Sequence, residues 1–280
     1  MTSHVLLDAN RCSASLVLAV TFLAGCAART PTAPSGPPVS SPNITGDWEL
    51  IASPAGGNAQ IAVYLTSNAG HVSGMAFGPP ATDNLCSSNG CCGSPIGFFD
   101  EALTGTVDAD GNLKLGTAVA GNPIFAMTGT VSGQAISNGS FTLSGAACTT
   151  QGTLTGTEYP PLDGTYSGTL ASQTTGQSFA VSATLKQSST PDSDGALVLG
   201  GTVNVAGYPC VASGGAATLS LSTNYVGDYF NASMVPSSGA TLFLTGVLSP
   251  DGKTLAVNYG FTVAGGSCNG DGGTGTLTLQ

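Results

Sequence analysis

Two stretches of this 280-residue chain repeat one another, and the repeated unit alternates apolar with small polar residues. The first copy opens on Ile44, Gly46 and Trp48, and the second on Leu162, Gly164 and Tyr166. Later landmarks keep nearly the same separation, roughly 120 residues. Cys86 answers to Cys210, Cys148 to Cys268, and the run Gly152–Thr157 to the run Gly273–Leu279. Landmarks recurring in one order point to duplication of a single supersecondary unit.

Within each copy, residues two apart are apolar: Ile61, Val63 and Leu65; Phe179, Val181, Ala183 and Leu185; Leu255, Val257, Tyr259 and Phe261. A period of two puts such residues on one side of a strand, leaving the other side wet as in antiparallel sheets. Asp110-Gly111, Asn138-Gly139, Asp194-Gly195 and Asp251-Gly252 have the chemistry of hairpin turns. The pattern predicts about eight short strands per copy. In the first copy they fall near 46–53, 59–67, 70–77, 102–107, 112–118, 124–131, 135–143 and 152–158. The expected fold is therefore all-β: two tandem repeats of an antiparallel meander, forming two eight-stranded up-and-down barrels. Closure removes exposed strand edges. A pair of β-sandwiches is the alternative. Gly46-Asp47-Trp48 is similar to the first-strand motif of lipocalins, and this resemblance implies a barrel plugged at one end by Trp48. The second copy carries Tyr166 in that place.

The N-terminus has a different character. Arg11 precedes an apolar run from Ser15 to Ala24. A bilayer-spanning helix needs ~20 apolar residues, so this run suits the core of a secretory signal instead. It ends in Leu23-Ala24-Gly25-Cys26, which resembles the lipobox of bacterial lipoproteins. The resemblance implies export, cleavage before Cys26, and acylation at that cysteine, palmitate included. The membrane is then a partner through the N-terminal lipid. Ala27 at the next position implies an outer-membrane destination in the cell envelope, facing the periplasm or the surface. Residues 1–25 are thus read as signal peptide and 26–43 as tether. Five prolines lie between Thr30 and Pro42; at ~3 Å per residue such a segment reaches roughly 40 Å. Residues 44–159 and 160–280 are the two β repeats.

Charged residues make up only 7 % of the chain, and the net charge is −10. Losing Arg11 and Asp8 with the signal leaves that balance unchanged. So few lysines and arginines cannot form a phosphate-binding stripe, which excludes nucleic acid as a partner. Of eight cysteines, Cys12 leaves with the signal and Cys26 takes the lipid. The other six are expected in disulfides in an exported chain. Equivalent positions should pair equivalently, as Cys86–Cys148 and Cys210–Cys268. Cys91 and Cys92 sit in an insertion that the second copy lacks; they read as a vicinal disulfide or a loop staple trading partners with Cys86. No metal and no cofactor is expected.

Catalytic patterns are sparse. His71 is the one histidine after the signal, and no Gly-x-Ser-x-Gly elbow is present. General acid–base chemistry would need His71, Asp100 and Glu101 to converge. Asp108, Asp110 and Asn112 resemble the start of a calcium loop but lack its terminal acidic ligand, so a hairpin turn is expected there. Asp192 and Asp194 read the same way. The chain is therefore not expected to be an enzyme. It reads as a membrane-anchored exported lipoprotein, a non-catalytic binding module for a small apolar ligand in a barrel mouth. The alternative is a structural or adhesive envelope protein without a ligand.

Overall fold

A computed structural model describes residues 40–55, 57–78, 99–118, 124–144, 149–193, 195–208, 215–218, 224–234, 241–262 and 269–280. Residues 1–39, which hold the expected signal peptide, Cys26 and most of the expected tether, lie outside the described residues. So do all the other cysteines. Residues Val39–Gln280 form one compact unit. No helix among the described residues is long and apolar enough to cross a membrane.

The unit is all-β and contains two barrels. The first is closed and consists of β1 (Gly46–Pro54), β2 (Ala59–Asn68), β3 (His71–Gly78), β4 (Phe99–Val107), β5 (Asn112–Thr117), β6 (Ile124–Ser132), β7 (Ala135–Ser144) and β8 (Thr149–Tyr159). Each strand pairs antiparallel with its neighbour in sequence, and β8 returns to β1. The second contains β9 (Gly164–Ser172), β10 (Ser178–Pro191), β11 (Leu197–Ala206), β12 (Gly215–Thr218), β13 (Asn224–Val226), β14 (Tyr229–Met234), β15 (Thr241–Leu248), β16 (Thr254–Thr262) and β17 (Gly272–Leu279). Here β12 and β13 take successive stretches of one flank of β11, and β17 returns to β9. This barrel is nearly closed: β13 joins β11 to β14 through only three residues.

Register confirms the repeat. Gly74 faces Leu65 across β2–β3, and Gly201 faces Leu185 across β10–β11. Gly129 faces Leu113, and Gly246 faces Phe230. Trp48 stands opposite Glu158 on the closing strand, and Tyr166 stands opposite Leu279.

Both interiors are filled by the alternating apolar residues. Ile61, Val63 and Leu65 are fully buried in the first barrel, as are Leu197, Leu199 and Val203 in the second. Trp48 is 0 % exposed and donates its Nε1–H to the Ile44 carbonyl at 3.0 Å. Its repeat partner Tyr166 is also buried, donating to the Gly252 carbonyl at 2.8 Å. Buried aromatics with a polar end find a hydrogen bond, and the two copies meet that need with different residues.

One turn expectation is corrected. Asn138-Gly139 is not a hairpin turn; the β6–β7 turn is Gly133–Gln134. Asn138 has a φ of 51° inside β7, where the register with β8 shifts between Ile136 and Gly139. The pair makes a β-bulge, which needs the same left-handed backbone as a tight turn.

Candidate functional site

The residues that stood out in sequence are dispersed by the fold. His71 is exposed at the start of β3 and pairs with Thr106. Glu101 pairs with Ala76 and Asp100 with Phe77. Five or six positions along a strand at ~3.3 Å per residue put roughly 17 Å or more between His71 and these acids, too far for proton transfer between them. Asp108 closes a turn. Its carboxylate accepts from the Asn112 side-chain amide at 2.9 Å, and from the Asn112 and Asp110 backbone N–H groups at 2.8 and 3.0 Å. Those bonds, the Asn112 side chain first, hold its carboxyl below the usual range. Asp192 likewise accepts from the Ala196 N–H at 3.0 Å; Asp194 lies outside the described residues. Among the described residues, no three His, Cys, Asp or Glu side chains converge as metal ligands would.

The apolar space that a ligand in a barrel mouth would use is occupied along the described strands. Phe125 and Phe141 stack at 6.2 Å in the first barrel. In the second, Phe179 packs on Tyr208 at 4.4 Å and on Tyr259 at 5.2 Å. The hydroxyls of both tyrosines donate to Asp271, which is 3 % exposed. Ser172 Oγ and the Thr174 N–H add two more donors to its other oxygen. These bonds outweigh burial and hold the Asp271 carboxyl far below its ordinary range.

What the fold assembles instead is an acidic cleft where the barrels meet, with a volume of about 510 Å³. Its walls come from the start of β1, the end of β8, the connection at 160–163 and the end of β10. That connection is clamped to β10: the Leu162 N–H donates to Gln187 Oε1, and the Gln187 N–H donates to Asp163 Oδ1, both at 2.8 Å. Tyr64 and Tyr159 supply aromatic surface and Glu158 and Asp163 supply carboxylates, while Asp47 lines the wall with its own carboxyl buried. The single cation among the lining residues, Lys186, is held by Asp163 at 3.3 Å.

Glu158 lies directly against Gly46, where a β-carbon would collide with its Oε1. Partial burial raises its pKa, and among the described residues no ion pair or side-chain hydrogen bond offsets that cost. The second copy uses the same slot differently: Gly164 stands against Leu279. The neighbouring pair Asp47 and Tyr64 across β1–β2 corresponds to Thr165 and Thr184 across β9–β10, whose hydroxyls bond at 3.1 Å. The first copy alone carries the acids.

Behind the cleft, Asp47 and Glu49 point outward from the first barrel yet are 3 % and 6 % exposed. The β13–β14 turn covers them. The Gly227 N–H donates to Asp47 Oδ1 at 2.7 Å, and Asp228 follows it in the turn, close enough for the Glu49 charge to act on it. Gln60 Nε2 also donates to Glu49, at 2.6 Å. Burial raises the Asp47 pKa well above normal, while burial and the nearby Glu49 raise Asp228 to about 7.

Glu49, Glu158, Asp228 and Lys186 are not singled out by motif or spacing in the sequence. Alternate charged positions on a strand ordinarily face water. The signal that could have found them is the contrast between copies, since Asp47 and Glu49 align with Thr165 and Ser167. No protein-family model and no curated protein matches the chain.

Proposed function

We propose that the chain is a lipid-tethered, non-catalytic binding protein of the bacterial envelope that takes a small organic cation in the cleft between its barrels. The observation that carries this reading is Glu158, a partly buried carboxylate on the cleft wall with no ion-pair partner among the described residues. Asp163 on the same wall is paired with Lys186, the one cation among the lining residues, which leaves Glu158 as the uncompensated charge. An ammonium group would neutralise that wall, and its alkyl stem would lie along Tyr64 and Tyr159, whose rings attract cations. The volume falls in the range of small-molecule sites. This reading keeps the expected binding module but moves its ligand from an apolar barrel mouth to a polar joint.

Isothermal titration with an alkyl diamine, choline, glucose and a lipophilic dye separates the ligand classes. The cations are expected to bind, and Glu158→Gln should weaken them about tenfold, the scale of one partly desolvated charge contact. Saturable binding of the dye alone, or unchanged cation affinity in Glu158→Gln, would overturn the proposal. A ligand-free structural or adhesive role is the second reading. It draws on Phe243 and Val247, exposed by 43 % and 44 % two pleats apart on β15. No heat from any of the four compounds would favour it.

A further inference from the structure

The joint brings acid against acid. From the first barrel come Asp47 and Glu49 on β1; from the second comes Asp228 in the β13–β14 turn. That turn is pressed hard onto the first barrel. Gly227 has a φ of +60°, and a β-carbon there would come 2.9 Å from the Ala62 Cβ. Only glycine combines that backbone with that approach.

Among the described residues the donors that reach Asp47 and Glu49 are the Gly227 N–H and Gln60 Nε2, with the Tyr159 hydroxyl close by. Asp47 Oδ2 is buried and has no hydrogen-bond partner. Among the described residues, Tyr64 on β2 and Glu158 on β8 line the adjoining cleft and Tyr229 follows Asp228 on β14, none of them cationic. Lys186 lines the cleft but is committed to Asp163. Among the described residues no cation pairs with Asp47, Glu49 or Asp228. A β-carbon at Gly227 would lie 3.6 Å from Glu49 Cβ, so the next residue, Asp228, is brought beside the buried Glu49, and a proton on Asp228 removes one of two like charges there. Without that proton, two like charges share a poorly hydrated contact and repel.

We propose that Asp47, Glu49 and Asp228 form a proton-held latch between the two barrels, closed while Asp228 is protonated and loosened when it ionises against the buried acids of β1. The latch regulates the cleft described above and in that respect rests on the binding proposal, because Asp47 and Tyr159 belong to both. The sign is fixed by the direction of the shift. The Asp228 carboxyl is raised in the folded protein, so its contribution to the joint is complete below the ordinary carboxylate range and is lost as pH rises through about 7.

Hydrogen exchange at the Gly227 amide tests the latch without any ligand, in the full mature domain. Its protection factor, corrected for intrinsic exchange, is expected to fall about tenfold from pH 5 to pH 8, the effect of one proton step. Core amides such as those of Trp48 and Val63, which face each other across β1–β2, should stay protected. Asp228→Asn, which keeps a hydrogen-bonding side chain but cannot ionise, should flatten the profile, and Glu49→Gln should do so independently. A flat profile in the native protein, or an unchanged slope in both variants while core amides remain protected, would overturn the proposal. Cation titration of the same samples is read separately. A pH-dependent joint that binds no cation sinks the binding reading and leaves the latch standing.

Discussion

Asp271 and Asp228 are both acids held in the second barrel, and their surroundings push them in opposite directions. Asp271 receives four donors, so its charged form is favoured despite burial. Its pKa is lowered on folding; the stability it contributes is therefore present above the ordinary carboxylate range and lost as pH falls through the lowered value. Burial and the bond to Asp271 push the Tyr259 hydroxyl up to about 12. Asp271→Asn should destabilise the protein at neutral pH by about 2 kcal/mol, since it replaces charge-assisted bonds with weaker ones. It should also flatten the acid limb of the stability profile. Urea unfolding between pH 2 and pH 7 measures both, and an unchanged acid limb would contradict the account. Neither acid's role could be told from its neighbours in sequence. Asp271-Gly272 and Asp228 next to Gly227 both look like turn residues, because the Tyr208 hydroxyl and the Glu49 carboxylate arrive from distant strands.

At the scale of elements, strand positions were largely legible. Alternation places Ile61, Val63 and Leu65 on one face whatever lies around them, and β2 spans 59–68 against an expected 59–67. Turn chemistry was less decisive. Asn138-Gly139 encodes a left-handed backbone, which serves a hairpin and a bulge equally; the register of β8 decides between them. The strands also organise the cysteine expectation, although the cysteines lie outside the described residues. Cys86 falls between β3 and β4, and Cys148 between β7 and β8; Cys210 falls between β11 and β12, and Cys268 between β16 and β17. In an up-and-down meander, each pair of connections belongs to one barrel end. Peptide mapping without reductant should therefore recover Cys86–Cys148 and Cys210–Cys268 as linked peptides. Each would close a loop of about 60 residues, worth roughly 4 kcal/mol. A Cys86–Cys91 or Cys86–Cys92 link would overturn the first of these pairings.

For the whole molecule, the proposed tether and the barrels are separate matters of chemistry. If Cys26 carries the lipid, Cys26→Ala should abolish labelled-palmitate incorporation and release the protein from membranes without changing its thermal unfolding; continued labelling would refute the anchor. Duplication explains why one pattern built two barrels, and divergence between the copies explains why they meet as they do. Strand periodicity and the repeat are legible in the chain alone, because each depends on residues close along it or on their counterparts at a fixed spacing, whereas the burial of Trp48 is implied by the lipocalin resemblance. Tertiary structure alone decided that Asp47 and Glu49 are buried rather than solvated. Their burial depends on the Gly227–Asp228 turn, which is brought across by the docking of one barrel on the other, and no local rule of alternation carries that information.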